Sequence, residues 1–236
     1  TGDRSAALHA QAGGTVAFAG AISGAGGIVK TGAGTVDLLG ANTYSGATVV
    51  AAGTLRIDNA SGSGTGSGAV TVRDGARLSG SGRIATSAFV VESGGTVAPA
   101  GLGTLTIDLG ESGSARFDAG ALFAFAITLA GAGDQITFAG AGTIAFHDNV
   151  VNIADLSGGL LVPGSTFELF QVSAQSTVTG QLVLGSGLEA YAGSSLAFDG
   201  TSVQLHVAPV PEPAAMGLLD WGLAGMGIGI RRRRKK

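Results

Sequence analysis

A five-residue phrase returns through the first hundred residues of this chain. It reads Gly14-Thr15-Val16-Ala17-Phe18, then Gly34-Thr35-Val36-Asp37-Leu38, then Gly53-Thr54-Leu55-Arg56-Ile57, then Gly95-Thr96-Val97. Gly75-Ala76-Arg77-Leu78 falls between the last two, its apolar phase set by Ala76 and Leu78. The leading glycines are 20, 19, 22 and 20 residues apart. Each phrase alternates apolar and polar residues, the period of a strand with one buried face, and glycine-type turn signals bound it.

A fixed period with strands this short predicts a solenoid, in which each coil buries its apolar face against the next. The fold class expected is all-β: a right-handed parallel β-helix whose coil takes about the length of the period. The inward stack would be Val16/Phe18, Val36/Leu38, Leu55/Ile57 and Leu105/Ile107. The rival is an antiparallel β-sandwich, which also uses short strands and regular turns; the near-constant period favours the solenoid. Composition agrees. Of 236 residues 43 are Gly and only 12% are charged, so helix formers are scarce and turns abundant. There is no Gly-X-Y period, which excludes collagen, and the chain is too apolar for plain disorder.

Residues 26–48 carry a more specific pattern. Gly26-Gly27-Ile28-Val29-Lys30-Thr31-Gly32-Ala33-Gly34-Thr35-Val36-Asp37-Leu38-Leu39-Gly40-Ala41-Asn42-Thr43-Tyr44-Ser45-Gly46-Ala47-Thr48 resembles the autotransporter-associated β-strand repeat, with its K-x-G-x-G-T-L phrase followed by N-T-Y-x-G-x-T. Val49 to Leu55 continues the pattern; the likeness is strong over 26–57 and looser to 110. The resemblance implies a surface-exposed parallel β-helix and no particular activity. In physical terms Asn42 suits a corner, since it tolerates the left-handed region and bonds its own backbone. Tyr44 can bury its ring and leave its hydroxyl wet. Both read as structural.

The chain divides into repeats over 1–110, further β-solenoid coils and a cap over 111–207, and a distinct tail over 208–236. In the second part the strand candidates are Ala121–Leu129, Gln135–Phe138, Thr143–Phe146, Thr166–Val172, Gln181–Leu184, Ser195–Phe198 and Ser202–Val207. Phe117, Phe123, Phe125, Phe138, Phe146, Phe167, Phe170 and Phe198 concentrate here, as large side chains filling a core where a cap must close the stack.

The tail joins Val210-Pro211-Glu212-Pro213, an apolar run Ala214–Ile230, and Arg231-Arg232-Arg233-Arg234-Lys235-Lys236. As a helix the run would be about 25 Å long at about 1.5 Å per residue, at the short edge of a bilayer core of roughly 30 Å. Leu218, Leu219, Leu223, Ile228 and Ile230 favour insertion and roughly cancel Asp220. The terminal cations extend the reach of the helix and hold that end in the cytoplasm, so residues 1–213 lie outside. Pro211 and Pro213 stiffen the strip before the membrane, which suits either a plain linker or a processing site. This arrangement resembles the PEP-CTERM sorting signal of Gram-negative bacteria, recognised by an exosortase, a membrane protease-transpeptidase. The resemblance implies that Val210, Pro211, Glu212 and Pro213 are the sorting motif. It also implies that the single transmembrane helix begun by Ala214, and the basic cluster Arg231 to Lys236, are removed after processing.

Other chemistry is weak. Gly80-Ser81-Gly82-Arg83-Ile84-Ala85 formally matches a dinucleotide fingerprint but no helix follows it, and Val29 stands before Lys30 where a P-loop needs Gly. Gly131-Ala132-Gly133-Asp134-Gln135-Ile136 reads as a turn, since one imperfect copy of a calcium nonapeptide cannot supply enough oxygens. His9, His147 and His206 are far apart, and the acids Asp37, Asp58, Asp108, Asp148 and Asp199 occur singly. No metal, cofactor or catalytic residue is assigned, and the expectation is that the chain is not an enzyme. Cysteine is absent, which excludes a Cys-based site. Six of the 13 cations lie in the last six residues, leaving seven against 16 acids in residues 1–230, a net of −9. That argues against nucleic acid as a partner. The chain opens at Thr1 with no signal-like segment, so an upstream part is expected to be missing.

The function expected is that of an exported structural or adhesive protein. It is held transiently in the inner membrane, processed by an exosortase, and delivered to the cell surface or extracellular matrix of a Gram-negative bacterium. There a Ser/Thr/Gly-rich face would meet exopolysaccharide in a biofilm. The alternative is a secreted polysaccharide-active enzyme on the same scaffold, which a cluster of acids on one face would favour.

Overall fold

The computed structural model describes residues 5–129, 131–158 and 161–209. The first coil holds β1 (Ala6–His9) and β2 (Thr15–Phe18), the second β3 (Ile28–Thr31) and β4 (Thr35–Leu38), the third β5 (Thr48–Val50) and β6 (Thr54–Ile57). From the fourth coil a third strand is added: β7 (Val70–Val72), β8 (Arg77–Gly80), β9 (Arg83–Ala85). The fifth has β10 (Ala88–Val91), β11 (Thr96–Pro99) and β12 (Thr104–Asp108), and the sixth has β13 (Ser114–Phe117), β14 (Leu122–Ile127) and β15 (Gln135–Ala139). The seventh has β16 (Thr143–Ala145), β17 (Asn149–Asp155) and β18 (Thr166–Val172). The eighth gives β19 (Thr177–Thr179) and β20 (Leu182–Leu184), followed by β21 (Ser195–Phe198) and β22 (Ser202–His206).

Strands at one position of successive coils pair in parallel. They build two eight-stranded sheets, β1 to β19 and β2 to β20, and a six-stranded third sheet in the order β21-β22-β18-β15-β12-β9. The all-β stack of parallel strands is therefore present, as in a β-helix, and the sandwich alternative is excluded. Only the third sheet ends differently: β22 runs antiparallel to both β18 and β21, with a bulge between Glu168 and Phe170. The transmembrane segment expected over Ala214–Ile230 lies outside the described residues, and no helix among the described residues is long and apolar enough to cross a membrane.

The constant period fails beyond the repeats. In the second sheet Thr15 pairs with Thr35, Thr35 with Thr54, Thr54 with Arg77 and Arg77 with Thr96. Thr96 then pairs with Leu122, Leu122 with Val150 and Val150 with Val183. The steps stay near 20 residues as far as Arg77 to Thr96, although β9 already lies within that step, and then grow to 33 as the strands and turns of the later coils lengthen. The third side corrects the expected inward stack. Val36/Leu38 and Leu55/Ile57 are inward neighbours with no exposure, but Leu105/Ile107 belong to β12 of the third sheet, beside Ile84 and Ile136. Val16 is 39% exposed, because no strand among the described residues covers the outer edge of β2.

Side-chain size follows coil width. The inward column Val36-Leu55-Leu78-Val97 changes to Phe123, the column Val50-Val72-Val91 changes to Phe117, and Ile84-Ile107 changes to Phe138. All three changes fall in the sixth coil, where a wider cross-section needs larger side chains to reach native packing density. The rings meet as pairs: Phe117 and Phe123 at 4.8 Å, Phe123 and Phe170 edge-to-face at 4.9 Å, Phe125 and Phe170 at 5.0 Å. Each such pair adds about 0.5–1.5 kcal/mol beyond its buried area. Phe198 departs from the aromatic expectation; it lies on the outer hairpin strand and is half exposed.

The repeat phrase is used up by coil stacking. Lys30 occupies an inward column between Leu8 and Val50 and is fully buried. Its ammonium donates to the carbonyls of Thr31 (3.1 Å), Gly32 (2.8 Å) and Ala52 (2.8 Å), which uses all three protons, and burial lowers its pKa. Asn42 does not bond its own backbone as expected. Its Nδ2 donates to Gly64 O (2.6 Å) in the coil above and its Oδ1 accepts from Ile22 N (2.7 Å) in the coil below. Nor is the Tyr44 hydroxyl wet: it is enclosed and bonded to Thr48 Oγ1 at 2.5 Å. A local reading cannot see these contacts, because each partner sits one coil away or on the far side of a turn.

Candidate functional site

The residues marked by the sequence for sorting, membrane insertion and basic anchoring, Val210 to Lys236, lie outside the described residues. What the structure does place is the surface that such a tail would deliver. The described chain leaves β22 through Val207, whose N–H donates to Ser165 O (2.9 Å), and Ala208, whose N–H donates to Ser194 Oγ (2.9 Å).

The outside of the third sheet is a polar face. Alternation puts Ile84, Ile107, Phe138 and Val172 inward, so Arg83, Thr106, Thr137 and Gln171 form an outward row in register across four strands; Ser202, next in register, is buried and its hydroxyl donates to Asp199 Oδ2 (2.8 Å). Thr104 and Gln135 stand side by side in the same sheet and share a hydrogen bond at 3.3 Å. Arg83 is paired with Asp108, whose other oxygen accepts from Gly110 N (2.9 Å). Glu168 projects between two shallow clefts. One, of about 420 Å³, is lined by Thr137, Gln171, Ser173, Thr201 and Ser202. The other, of about 340 Å³, is lined by Leu102, Thr104, Gly131, Gln135 and Phe167. The face offers hydroxyl and amide groups that both donate and accept.

The titratable groups do not converge. Asp58 is paired with Arg56 at 2.6 Å and accepts from Ser81 N at 2.8 Å, bracing a coil corner. Asp199 accepts from the N–H groups of Thr201 (2.9 Å) and Ser202 (2.7 Å) inside the β21–β22 turn, and these bonds hold its carboxyl at about 2. Asp148 sits at a corner with φ of 53°. Asp37 is half-buried on β4, one oxygen without a partner. His9 contacts Thr31, His147 contacts Phe117 O (2.7 Å), and His206 contacts Thr166. Among the described residues no group of three or more His, Asp or Glu is close enough to hold a metal ion.

One residue was passed over by the sequence reading. Asp134 reads as part of a glycine turn, and the turn is there: Thr128 N donates to Ala132 O at 2.8 Å. Yet Asp134 is 2% exposed. Its Oδ2 accepts from Ala126 N at 2.9 Å, while its Oδ1 has no hydrogen-bond partner. Nothing local signals this burial, which comes from the loop folding back on the end of β14.

The fold and its surface define a class: a repeat solenoid of stacked parallel strands with polar outward rows and, among the described residues, no gathered acids. Residues 28–57 match the passenger-associated-transport-repeat family, over the same coils in which Lys30, Asn42, Tyr44 and Gly46 bind one turn to the next. The chain is also 40% identical over 116 residues, 49% of its length, to a protein of Serratia marcescens named an extracellular serine protease. That match covers 10% of the relative, so this chain spans a small part of the relative's length. Both likenesses point to export toward the cell surface or extracellular space.

Proposed function

We propose that this is an exported structural or adhesive protein of a Gram-negative cell surface or extracellular matrix, a scaffold and not an enzyme. On this reading its coils wind right-handed, the hand favoured for parallel crossovers. An exosortase recognises Val210-Pro211-Glu212-Pro213 while the helix from Ala214 and the cations Arg231 to Lys236 hold the chain in the inner membrane. The observation that carries the scaffold reading is the consumption of the repeat. Lys30, Asn42, Tyr44 and Gly46 are engaged between or within coils, so a partner would meet outward side chains such as Thr106, Thr137 and Gln171. Those side chains suit exopolysaccharide, whose hydroxyls pair with groups that both donate and accept.

The sorting part is tested in the native host by replacing Pro211 and Pro213 with Ala and reading the C-terminal mass of the exported protein. The expected result is a wild-type protein that has lost Arg231 to Lys236 and a variant that keeps them and stays in the membrane fraction. A wild-type protein recovered from the surface with its arginines attached overturns it and indicates a permanent anchor.

A further inference from the structure

β18 carries the bulge between Glu168 and Phe170. Strict alternation from Glu168 would turn Phe170 outward and Gln171 inward. The bulge instead buries Leu169 and Phe170 together and leaves Glu168 and Gln171 both exposed, the re-aiming of side chains that such an irregularity produces. On the neighbouring strand β15 the outward positions are Gln135, Thr137 and the small Ala139. The two clefts of the third sheet meet at Glu168 and follow one another along β15, with Gln135 in the smaller and Thr137 to Gly140 in the larger. Five residues of strand make this path about 17 Å long.

The polar groups along the path are uncommitted. No described residue bonds to the side chains of Glu168, Gln171 or Thr137, and Gln135 uses only its carbonyl oxygen, which accepts from Thr104 at 3.3 Å. Glu168 is the one charged side chain among the described residues lining either cleft. Asp108 is paired with Arg83, and Asp199 is held by the Thr201 and Ser202 N–H groups. The exposed Leu102 gives the smaller cleft an apolar rim.

We propose that the two clefts form one groove for an uncharged polysaccharide chain lying along β15, with Glu168 at its centre accepting from hydroxyls of the sugar rings on either side. The chemistry selects this ligand. A carboxylate needs donors, the Thr137 hydroxyl and the amides of Gln135 and Gln171 both donate and accept, and sugar hydroxyls meet all of them. An acidic polymer is repelled by Glu168. A divalent metal needs about six to eight oxygens, and a single carboxylate is present. A peptide strand needs a free sheet edge, whereas β15 and β18 are paired on both sides. The inference deepens the surface-scaffold reading, on which its choice of a polysaccharide rests, and uses none of the sorting reading.

Ligand-observed NMR on the purified full-length chain tests the groove. The probes are cellopentaose, maltopentaose and mannopentaose, with glucose as the single ring and a galacturonate pentamer as the acidic chain. A neutral pentamer should bind in the millimolar range, about tenfold more tightly than glucose or the acidic pentamer, because it spans both clefts and meets no repulsion. Glu168→Ala should weaken it about tenfold, the loss of hydrogen bonds to a charged acceptor. Glu168→Gln should remove the discrimination against the acidic pentamer. Thr137→Phe, which fills the path while Glu168 stays in place, should weaken the neutral pentamer as well. All three changes are outward on paired strands and should keep the wild-type urea midpoint. Thr54→Phe, outward on the second sheet, is the control and should bind as wild type does. A neutral pentamer bound equally by wild type, Glu168→Ala and Thr137→Phe overturns the groove and leaves the polysaccharide reading to another face. No neutral pentamer bound by the wild type overturns both, and equal binding of the acidic pentamer overturns the choice of an uncharged ligand. Processing in the host is read separately, so none of these outcomes touches the sorting result.

Discussion

Gly46→Ala tests the stacking argument at one atom. Gly46 has ordinary backbone angles, so strain in φ plays no part; the obstacle is the coil below. A Cβ at this position would lie 2.3 Å from Gly27 N, 2.4 Å from Gly26 C and 2.7 Å from Gly26 O. All three are backbone atoms and cannot rotate away. Relief to van der Waals distance needs a local separation of about 1 Å. That stretches Ile28 N→Ala47 O, now 2.8 Å, and Ser45 N→Gly24 O, now 3.0 Å, beyond hydrogen-bonding range. Two lost bonds with partly stranded groups cost about 2–6 kcal/mol, offset by about 0.4–1 kcal/mol from the stiffer unfolded chain. A net of about 3 kcal/mol lowers Tm by roughly 6–12 °C for a chain of this size. Gly20→Ala is the matched control, with nothing within 4 Å of its Cβ, and should be neutral or slightly stabilising. Urea unfolding gives the energies, and hydrogen exchange should show the loss concentrated in residues 26–48, because solenoid coils depend on their nearest neighbours. A Gly46→Ala protein within about 0.5 kcal/mol of wild type, or an equal loss in Gly20→Ala, would refute the reasoning.

Three further outcomes follow from buried or turn-held groups. Burial pushes the Tyr44 hydroxyl up to about 12 from 10, only partly countered by its bond to Thr48. Below pH 10 both states are protonated, but between 10 and 12 the unfolded chain ionises first, so stability should fall by about 2–3 kcal/mol over that window. Tyr44→Phe should remove this loss, read as the difference in urea midpoints from pH 9 to 12. Lys30→Met keeps the column filled but leaves the carbonyls of Thr31, Gly32 and Ala52 without their donor; equilibrium unfolding should show a loss of about 1–3 kcal/mol. The Asp199 carboxyl, held down by the Thr201 and Ser202 N–H groups, supports the β21–β22 turn above its ordinary value near 3.8. That support should disappear as pH falls toward 2, seen as faster hydrogen exchange in 195–206, and Asp199→Ala should exchange fast throughout.

The sequence made strand identity readable where alternation is strict. Thr166–Val172 and Ser195–Phe198 have the expected ends, and Val36, Leu38, Leu55 and Ile57 point inward because a two-residue period leaves no other choice once one face is buried. Sheet membership was not readable. Leu105-Thr106-Ile107 has the same apolar-polar-apolar pattern as Leu55-Arg56-Ile57, yet the Gly80-Ser81-Gly82 turn starts a third side, and the pattern cannot say which side a strand joins. Contacts between coils were hidden for a related reason. Asn42, and Lys30 in one of its three bonds, reach carbonyls 22 residues away, beyond any local rule for turns or caps. Asp134 was the least legible. Its burial depends on β14 outrunning β11, a mismatch between two coils that no stretch of sequence contains by itself.

That mismatch bears on where function resides in such a fold. Identical coils stack into flat ladders, and a flat ladder offers every partner the same shallow row. A concave site requires coils of different length. In this chain the repeat proper, β1 to β6, keeps a nearly even step, and the two clefts beside Glu168 draw their lining from residues 102 onward, where the steps lengthen. The same departure brings Phe117, Phe123 and Phe138 into the core, so the wider coils remain packed while their edges overhang. The repeat phrase secures the column, and irregular coil length shapes its surface. Likeness confined to the phrase therefore carries the architecture from one protein to another without carrying a ligand, whereas the groove beside Glu168 belongs to the residues outside the phrase.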